Sequence, residues 1–203
     1  MQIESIALGK RDKEKLVIRT CDGTYISAFI DDAYTLRVGD EISEERAAEL
    51  EAGYATHSAK KSAAKSLARR SMSKNELAKK LRDKGFSEAD SVADWFEERG
   101  YIDDAEYAKM CVEYYKGRGY GIVRIREELS RRGISRDHID DVLCDFETDS
   151  EDIKKLIEKK LHGQKPDEDK KSKITAFLMR RGFKYDEIRS AMREMQFDTE
   201  DMN

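Results

Sequence analysis

The sequence predicts a mainly α fold: three tandem three-helix repeats in an elongated curved array, preceded by a small β-rich N-terminal module. A repeated spacing points to it first. Leu77, Leu81, Lys84, Gly85 and Phe86 match Ile125, Leu129, Arg132, Gly133 and Ile134, and again Ile174, Leu178, Arg181, Gly182 and Phe183. The glycines recur 48 and 49 residues apart, a period typical of helical repeats that bury their apolar faces on neighbours. Repeated helix-start grammar is the second sign. Ser73 and Glu76 form a capping box with Met72 and Leu77 as its hydrophobic staple, and Asp103, Glu106, Ile102 and Tyr107 repeat the device.

Composition agrees. Of 203 residues, 40% are charged and only 38% hydrophobic, so any core is thin, which suits a stack better than a globe. A net charge of −4 excludes a uniformly basic nucleic-acid coat. Cys21, Cys111 and Cys144 have neither zinc-site nor disulfide-framework spacing. No apolar run is long enough to span a bilayer, and Met-Gln-Ile-Glu-Ser lacks signal-peptide character. A cytoplasmic, soluble monomer is expected.

In chain order, residues 1–53 read as the β-rich module. Strands at 15–20 and 25–30 flank the turn signal Asp22-Gly23, and Ile3 to Leu8 adds a third. Ser43 caps a short helix through Leu50, and the module ends near Gly53. Repeat one, residues 54–100, starts with a helix from His57 to Arg70. A second helix runs from Ser73 to Lys84, stopped by Gly85, and a third is capped by Ser87 and ended by Gly100. Repeat two, 101–148, begins at Asp103. Its Gly117-Arg-Gly-Tyr-Gly121 follows a helix and lacks Gly-Lys-Ser/Thr, so it reads as a helix–helix turn and not a phosphate loop. Ser135 caps its third helix. Repeat three, 149–203, has Ser150 as its first cap and Pro166 as a break, with apolar stripes at Ile174, Phe177, Leu178 and at Ile188, Met192, Met195. Thr199 to Asn203 should fray.

Charge alternates in blocks. Residues 55–85, 116–136 and 170–193 are basic, whereas 86–115 and 137–169 are acidic. Each second helix is thus basic. Lys84, Arg132 and Arg181 lie where a cation favours the helix dipole, but that does not account for the adjoining Arg131 and Arg180 or the many lysines upstream. A surface for a polyanion or acidic protein is expected, carried by Lys74, Lys80, Lys84, Arg124, Arg131, Arg132, Arg180 and Arg181. Pairs such as Arg131–Arg132 are expected to point away from the core. Trp95, Phe96, Tyr107, Tyr114 and Tyr115 read as packing residues.

A groove-reading helix-turn-helix is excluded by the third helix of repeat one, whose Glu88, Asp90, Asp94, Glu97 and Glu98 would face phosphates. Nothing suggests an enzyme. His57, His138 and His162 lie in separate repeats, and no residues form a nucleophile or metal constellation. Asp103-Asp104 is a conceivable metal pair, but capping accounts for Asp103. No catalytic, cofactor or metal site is expected.

The motifs do carry a resemblance. Gly100-Tyr-Ile-Asp-Asp-x-x-Tyr-Ala108 resembles the signature of the RecX regulatory proteins, as do Gly121-x-x-x-Ile125-x-x-Glu128-Leu129-x-x-x-Gly133-Ile134 and the upstream stretch from Arg70 to Phe86. The likeness spans about 57–195, and the β-rich leader resembles an extension of longer members. It implies a modulator, usually an inhibitor, of the RecA recombinase, lying in the groove of the RecA–DNA filament. There it would suppress strand exchange, ATPase and coprotease activities in DNA repair and the SOS response. The partners implied are RecA and its filament on single-stranded DNA, with weak salt-sensitive DNA contact and no cofactor. Tyr101, Asp103, Asp104 and Tyr107 carry the signature, and their capping and packing positions make them structural. A freestanding, non-sequence-specific DNA-binding protein is the competing class.

Overall fold

The computed structural model describes residues 1–164 and 166–196, so the expected fraying of Thr199–Asn203 lies outside the described residues. Strands β1 (Ile3–Leu8), β2 (Lys15–Thr20) and β3 (Tyr25–Phe29) form an antiparallel sheet in that order. Leu16 pairs with Ala28 and Ile18 with Ile26, so period-two alternation sends these four to the buried face. Asp22 shapes the β2–β3 turn by accepting from Thr20 Oγ1 (2.5 Å) and the Thr24 amide (3.1 Å).

A 3-10 turn, Ile30–Asp32, precedes α1 (Glu44–Leu67), which Ser43 caps by accepting from the Arg46 amide. Here the structure corrects the sequence reading. The expected short helix to Leu50 and the separate helix from His57 are one 24-residue helix, and Gly53 lies inside it. A glycine there costs about 1 kcal/mol relative to alanine, which the alanine- and lysine-rich remainder tolerates. A Cβ at Gly53 would stand 2.9 Å from Oδ2 of the exposed Asp32 side chain, which can swing aside, so nothing in the packing requires a glycine here. Lys61 Nζ reaches Glu14 (2.5 Å) and Asp12 (3.2 Å), and His57 stacks on Phe29 at 3.7 Å, so the β2 end of the sheet is tied to mid-α1.

The remaining helices are α2 (Lys74–Arg82), α3 (Ala89–Glu98), α4 (Asp104–Lys116), α5 (Ile122–Arg131), α6 (Arg136–Leu143), α7 (Ser150–Leu161), α8 (Glu168–Arg180) and α9 (Tyr185–Glu194). Nine α-helices are thus present among the described residues. Two expected caps differ. Glu88, not Ser87, occupies the α3 cap position, where Ser87 Oγ bonds the Glu88 carboxylate instead. Asp149, not Ser150, caps α7, its carboxylate accepting from the Glu151 amide.

Two compact units result: Met1–Ser71 with Leu77–Tyr101, and Met72–Glu76 with the described residues from Ile102 onward. The first holds the sheet core around Ile3, Ile18, Ile26 and Leu50. Its helical part is lined by small residues, Ala59, Ala63, Ala78, Ala89 and Ala93, besides Leu77, Leu81, Val92 and Phe96. The second unit holds a core of α4–α6 around Ile125, Leu129 and Ile139, and one of α7–α9 around Ile153, Ile157, Leu178 and Ile188.

The repeated glycine closes each second helix identically. The next amide bonds back five residues, Phe86 to Leu81, Ile134 to Leu129 and Phe183 to Leu178 (3.1–3.2 Å), which requires a left-handed residue at the glycine. Within the second unit, Gly182 has a further duty. The Gly121 amide donates to Arg181 O and the Val123 amide to Gly182 O, and this satisfies amides of the α5 first turn that no side chain caps. A Cβ on Gly182 would collide with the Arg124 backbone, and one on Gly121 with the Gly182 carbonyl. Gly85, with φ +86°, has open space around it. Gly85→Ala is therefore expected to cost about 1–2 kcal/mol through its left-handed backbone alone. Gly182→Ala adds a backbone collision and should lose about 3 kcal/mol or more. Urea unfolding of the two variants, followed by circular dichroism, checks the order.

Candidate functional site

Arg132 is the centre of a polar chain in the second unit. Its Nη1 donates to the Tyr107 hydroxyl (2.6 Å) and lies 3.5 Å from Glu76 Oε1, and its Nη2 donates to the Tyr115 hydroxyl (3.1 Å). Tyr107 donates to Glu76 Oε2 (2.8 Å), and Tyr115 to Glu128 Oε2 (3.2 Å). Glu128 is buried and receives Arg124 Nη2 at 2.8 Å and also Arg131. Two carboxylates thus sit among three guanidinium groups and two phenols. A carboxylate out of water is costly unless so paired.

Local capping places Glu76 and Tyr107, and longer-range bonds hold the start of α2 to the end of α5. The Ser73–Glu76 box caps α2 as expected, with the Glu76 amide donating to Ser73 Oγ (3.0 Å) and the Ser73 amide to Glu76 Oε2 (3.3 Å). Ser73 Oγ also bonds Arg132 O, and Asn75 Nδ2 donates to Gly133 O (2.5 Å). Asp103 caps α4 through the Glu106 amide (2.8 Å), and Asp104 accepts from the Lys74 amide (2.9 Å). Both aspartates of the signature therefore hold backbone donors and Tyr107 is buried, whereas Tyr101, expected to be structural with them, is 63% exposed. Burial first, then the hydrogen bond to Glu76, push the Tyr107 phenol well above the usual tyrosine range.

The eight cations singled out from sequence divide. Arg132 and Arg181 do not point away from the core. Arg132 is only 27% exposed at its side chain, and Arg181 Nη1 donates to Arg118 O (2.7 Å) and Gly119 O (3.0 Å) while lying over Phe177 and Tyr120. The expectation that both members of each pair are outward is corrected, because the last helical turn rotates adjacent residues by about 100°. Arg131, Arg180 and Lys84 are exposed, whereas Lys74, Lys80 and Arg124 are half-buried. Lys84 Nζ donates to Ser62 Oγ at 2.6 Å. Glu128 and Tyr115 were not anticipated as network members. The available signal was a carboxylate falling at position 128 beside the apolar stripe of Ile122, Ile125 and Leu129.

Among the aromatics, Phe96 and Tyr107 are buried and Trp95 and Tyr115 half-buried, as expected for packing. Tyr114 instead is 51% exposed, with Arg118 over its ring at 4.5 Å. No group of three or more potential metal ligands occurs among the described residues. Among the described residues no helix is long and apolar enough to cross a membrane. Cys111 is buried, and Cys21 and Cys144 are exposed and free.

Fold and site together define a tandem three-helix-repeat protein whose marked residues act in capping, packing and charge pairing. Comparison with known proteins identifies the group. Models of the first, second and third three-helix domains of RecX match residues 59–92, 103–143 and 147–192. The regulatory protein RecX of Pseudomonas putida KT2440 is 38% identical over 126 residues, 60% of this chain and 81% of its own length. That of Vibrio vulnificus CMCP6 is 35% identical over 139 residues (66% and 91%), and that of Halorhodospira halophila 33% over 154 (74% and 96%). A crystal structure of regulatory protein RecX matches with a TM-score of 0.69 at 23% identity, covering 96% of this chain and 98% of that one. The RecX structure from Lactobacillus salivarius gives 0.62 at 24%, over 70% and 97%. The chain belongs to the RecX family of regulatory proteins.

The polar chain generates two expectations. Arg132→Ala removes the cation that Glu76 and the two phenols share, though their bonds to one another remain, and should cost about 1–3 kcal/mol. Arg131→Ala, at an exposed position, should cost about 0–1 kcal/mol. Thermal melts of both variants distinguish them. The second expectation concerns pH. Because the folded Tyr107 pKa is raised, its contribution is complete below the unfolded value of about 10 and is lost as pH climbs above it. Stability measured between pH 9 and 12 should fall more steeply in the wild type than in Tyr107→Phe.

Proposed function

We propose that this chain binds a RecA recombinase assembled on single-stranded DNA and restrains its strand-exchange, ATPase and coprotease activities, as a regulator of DNA repair and the SOS response. The observation that carries this reading is the match of all three RecX domain models to the chain, in order. Geometry supports it in a narrower way. An exposed cation stands at or just past the end of each second helix, Lys84, Arg131 or Arg180, although Lys84 is in register with Arg132 and Arg181, which are committed internally. Among the described residues, neither Lys84 nor Arg180 has a carboxylate partner. Residues 54–100, 101–148 and 149–203 would then act as successive contact modules toward acidic protein surface or phosphate. A net charge of −4 keeps direct DNA contact weak and dependent on salt.

The test is inhibition of RecA-catalysed ATP hydrolysis on single-stranded DNA by wild type and by the double variant Lys84→Glu, Arg180→Glu. The lost helix-dipole contacts cost only about 0.3–1 kcal/mol each, so the variant should fold. About tenfold more of it should be needed for half-inhibition, and raising salt from 50 to 200 mM should weaken the wild type. Equal potency of the two proteins would remove these cations from the interface. Binding to naked oligonucleotide as strong as to the filament would favour a freestanding DNA-binding protein.

A further inference from the structure

The N-terminal unit carries an open groove of about 620 Å³ that the polar chain around Arg132 does not touch. That size falls in the usual ligand-site range of about 300–1,000 Å³. Its floor is apolar and built on short side chains, the exposed Ala64 and Ala68 of α1, with Leu67 and Phe96 beside them. Tyr101 and Trp95 line it as well. Capping does not account for Tyr101, which is 63% exposed, with its ring near-parallel (15°) to that of Trp95 at 6.2 Å.

Both helices supply a cation to this groove. On α1, Lys60 lies over the Trp95 ring at 4.2 Å, and Lys65 is exposed farther along the helix. At the end of α3 the exposed Arg99 lies over the same ring at 4.0 Å. Among the described residues none of these three has a carboxylate partner. Glu14, the carboxylate in the lining, is engaged by Lys61 (2.5 Å) and His57 (3.2 Å), so it cancels none of them. Glu98 is exposed next to Arg99 but does not line the groove. Flat rings between unpaired cations suit a chain that alternates planar faces with negative charge. Single-stranded nucleic acid is such a chain, since every base has a π-face and every linkage a phosphate. An anchoring peptide side chain needs a deeper slot than two alanines provide.

We propose that a base of a single-stranded nucleic acid stacks on Tyr101 in this groove, with its flanking phosphates drawn to Lys60, Lys65 and Arg99. The site is separate from Lys84 and Arg180, and it is tested without a filament, so this reading and the RecA reading fail separately. Trp95 is the single tryptophan of the chain and, beside Tyr101, reports occupancy directly. Full-length protein is titrated with a short oligothymidylate. An abasic oligomer of equal length, which keeps the charge and lacks the bases, is one control, and a glutamate-rich peptide is the other. Anisotropy of a labelled strand gives the same constants should Trp95 prove silent.

The oligothymidylate should quench Trp95 saturably and bind at least tenfold more tightly than the abasic oligomer. With three phosphates engaged, its log affinity should fall with log salt at a slope of about −2. Tyr101→Ala should weaken binding at least tenfold and Tyr101→Phe less than twofold, because the ring and not the hydroxyl stacks. The double variant Lys65→Glu, Arg99→Glu should also lose at least tenfold. Both charge positions are exposed, and far-UV circular dichroism verifies folding of every variant. No saturable binding up to about 100 μM strand, the weak end of non-specific affinity, overturns the proposal. So does equal binding of the abasic oligomer, or affinity unchanged in Tyr101→Ala. A glutamate-rich peptide that binds more tightly than the strand and is weakened by the same variants would make the groove a protein-docking surface instead.

Discussion

Arg132 stands at the end of a helix, where a cation usually does no more than meet a dipole. Here it reaches two phenols and a carboxylate, and through Tyr115 it extends to the buried Glu128. That pairing lets α4 and α5 hold charge beneath their surface, and it recruits the first turn of α2, whose Glu76 is at once a capping residue and a counter-ion. Met72–Glu76 cluster with the second unit for this reason, although they lead into a helix whose remainder belongs to the first. In a chain with more charged than hydrophobic residues, specific charge pairing supplies register that a thin apolar core defines poorly.

Much of the architecture was legible because the signals are local. Gly85, Gly133 and Gly182, the Ser73 and Asp103 caps and the Asp22-Gly23 turn each depend on a few neighbouring residues, and the structure realises all of them. Gly53 misled because a single glycine reads as a stop, whereas the alanine- and lysine-rich residues around it carry the helix through. Ser87 and Ser150 were chosen by residue type where backbone geometry selects their neighbours. The charged surface was the least legible part. Sequence marks Arg131 and Arg132 alike as basic, but only packing tells that one is exposed and the other held between rings.

This division bears on what a regulator without evident chemistry needs. Its signature residues Asp103, Asp104 and Tyr107 are engaged with backbone amides and with Glu76, which fixes the shape of a repeat, whereas Tyr101 is exposed. Motifs shared across such a family therefore report scaffold far better than they report contacts.

The amides of Gly121 and Val123 are satisfied by carbonyls some sixty residues later, at Arg181 and Gly182. Helix starts ordinarily exchange their amide hydrogens fastest, since water reaches them at once. At this start the amides of Gly121 and Val123 should exchange only when the final repeat detaches. The two C-terminal repeats are consequently not interchangeable beads. Removing, duplicating or shuffling the last one would expose polar main chain in the one before it.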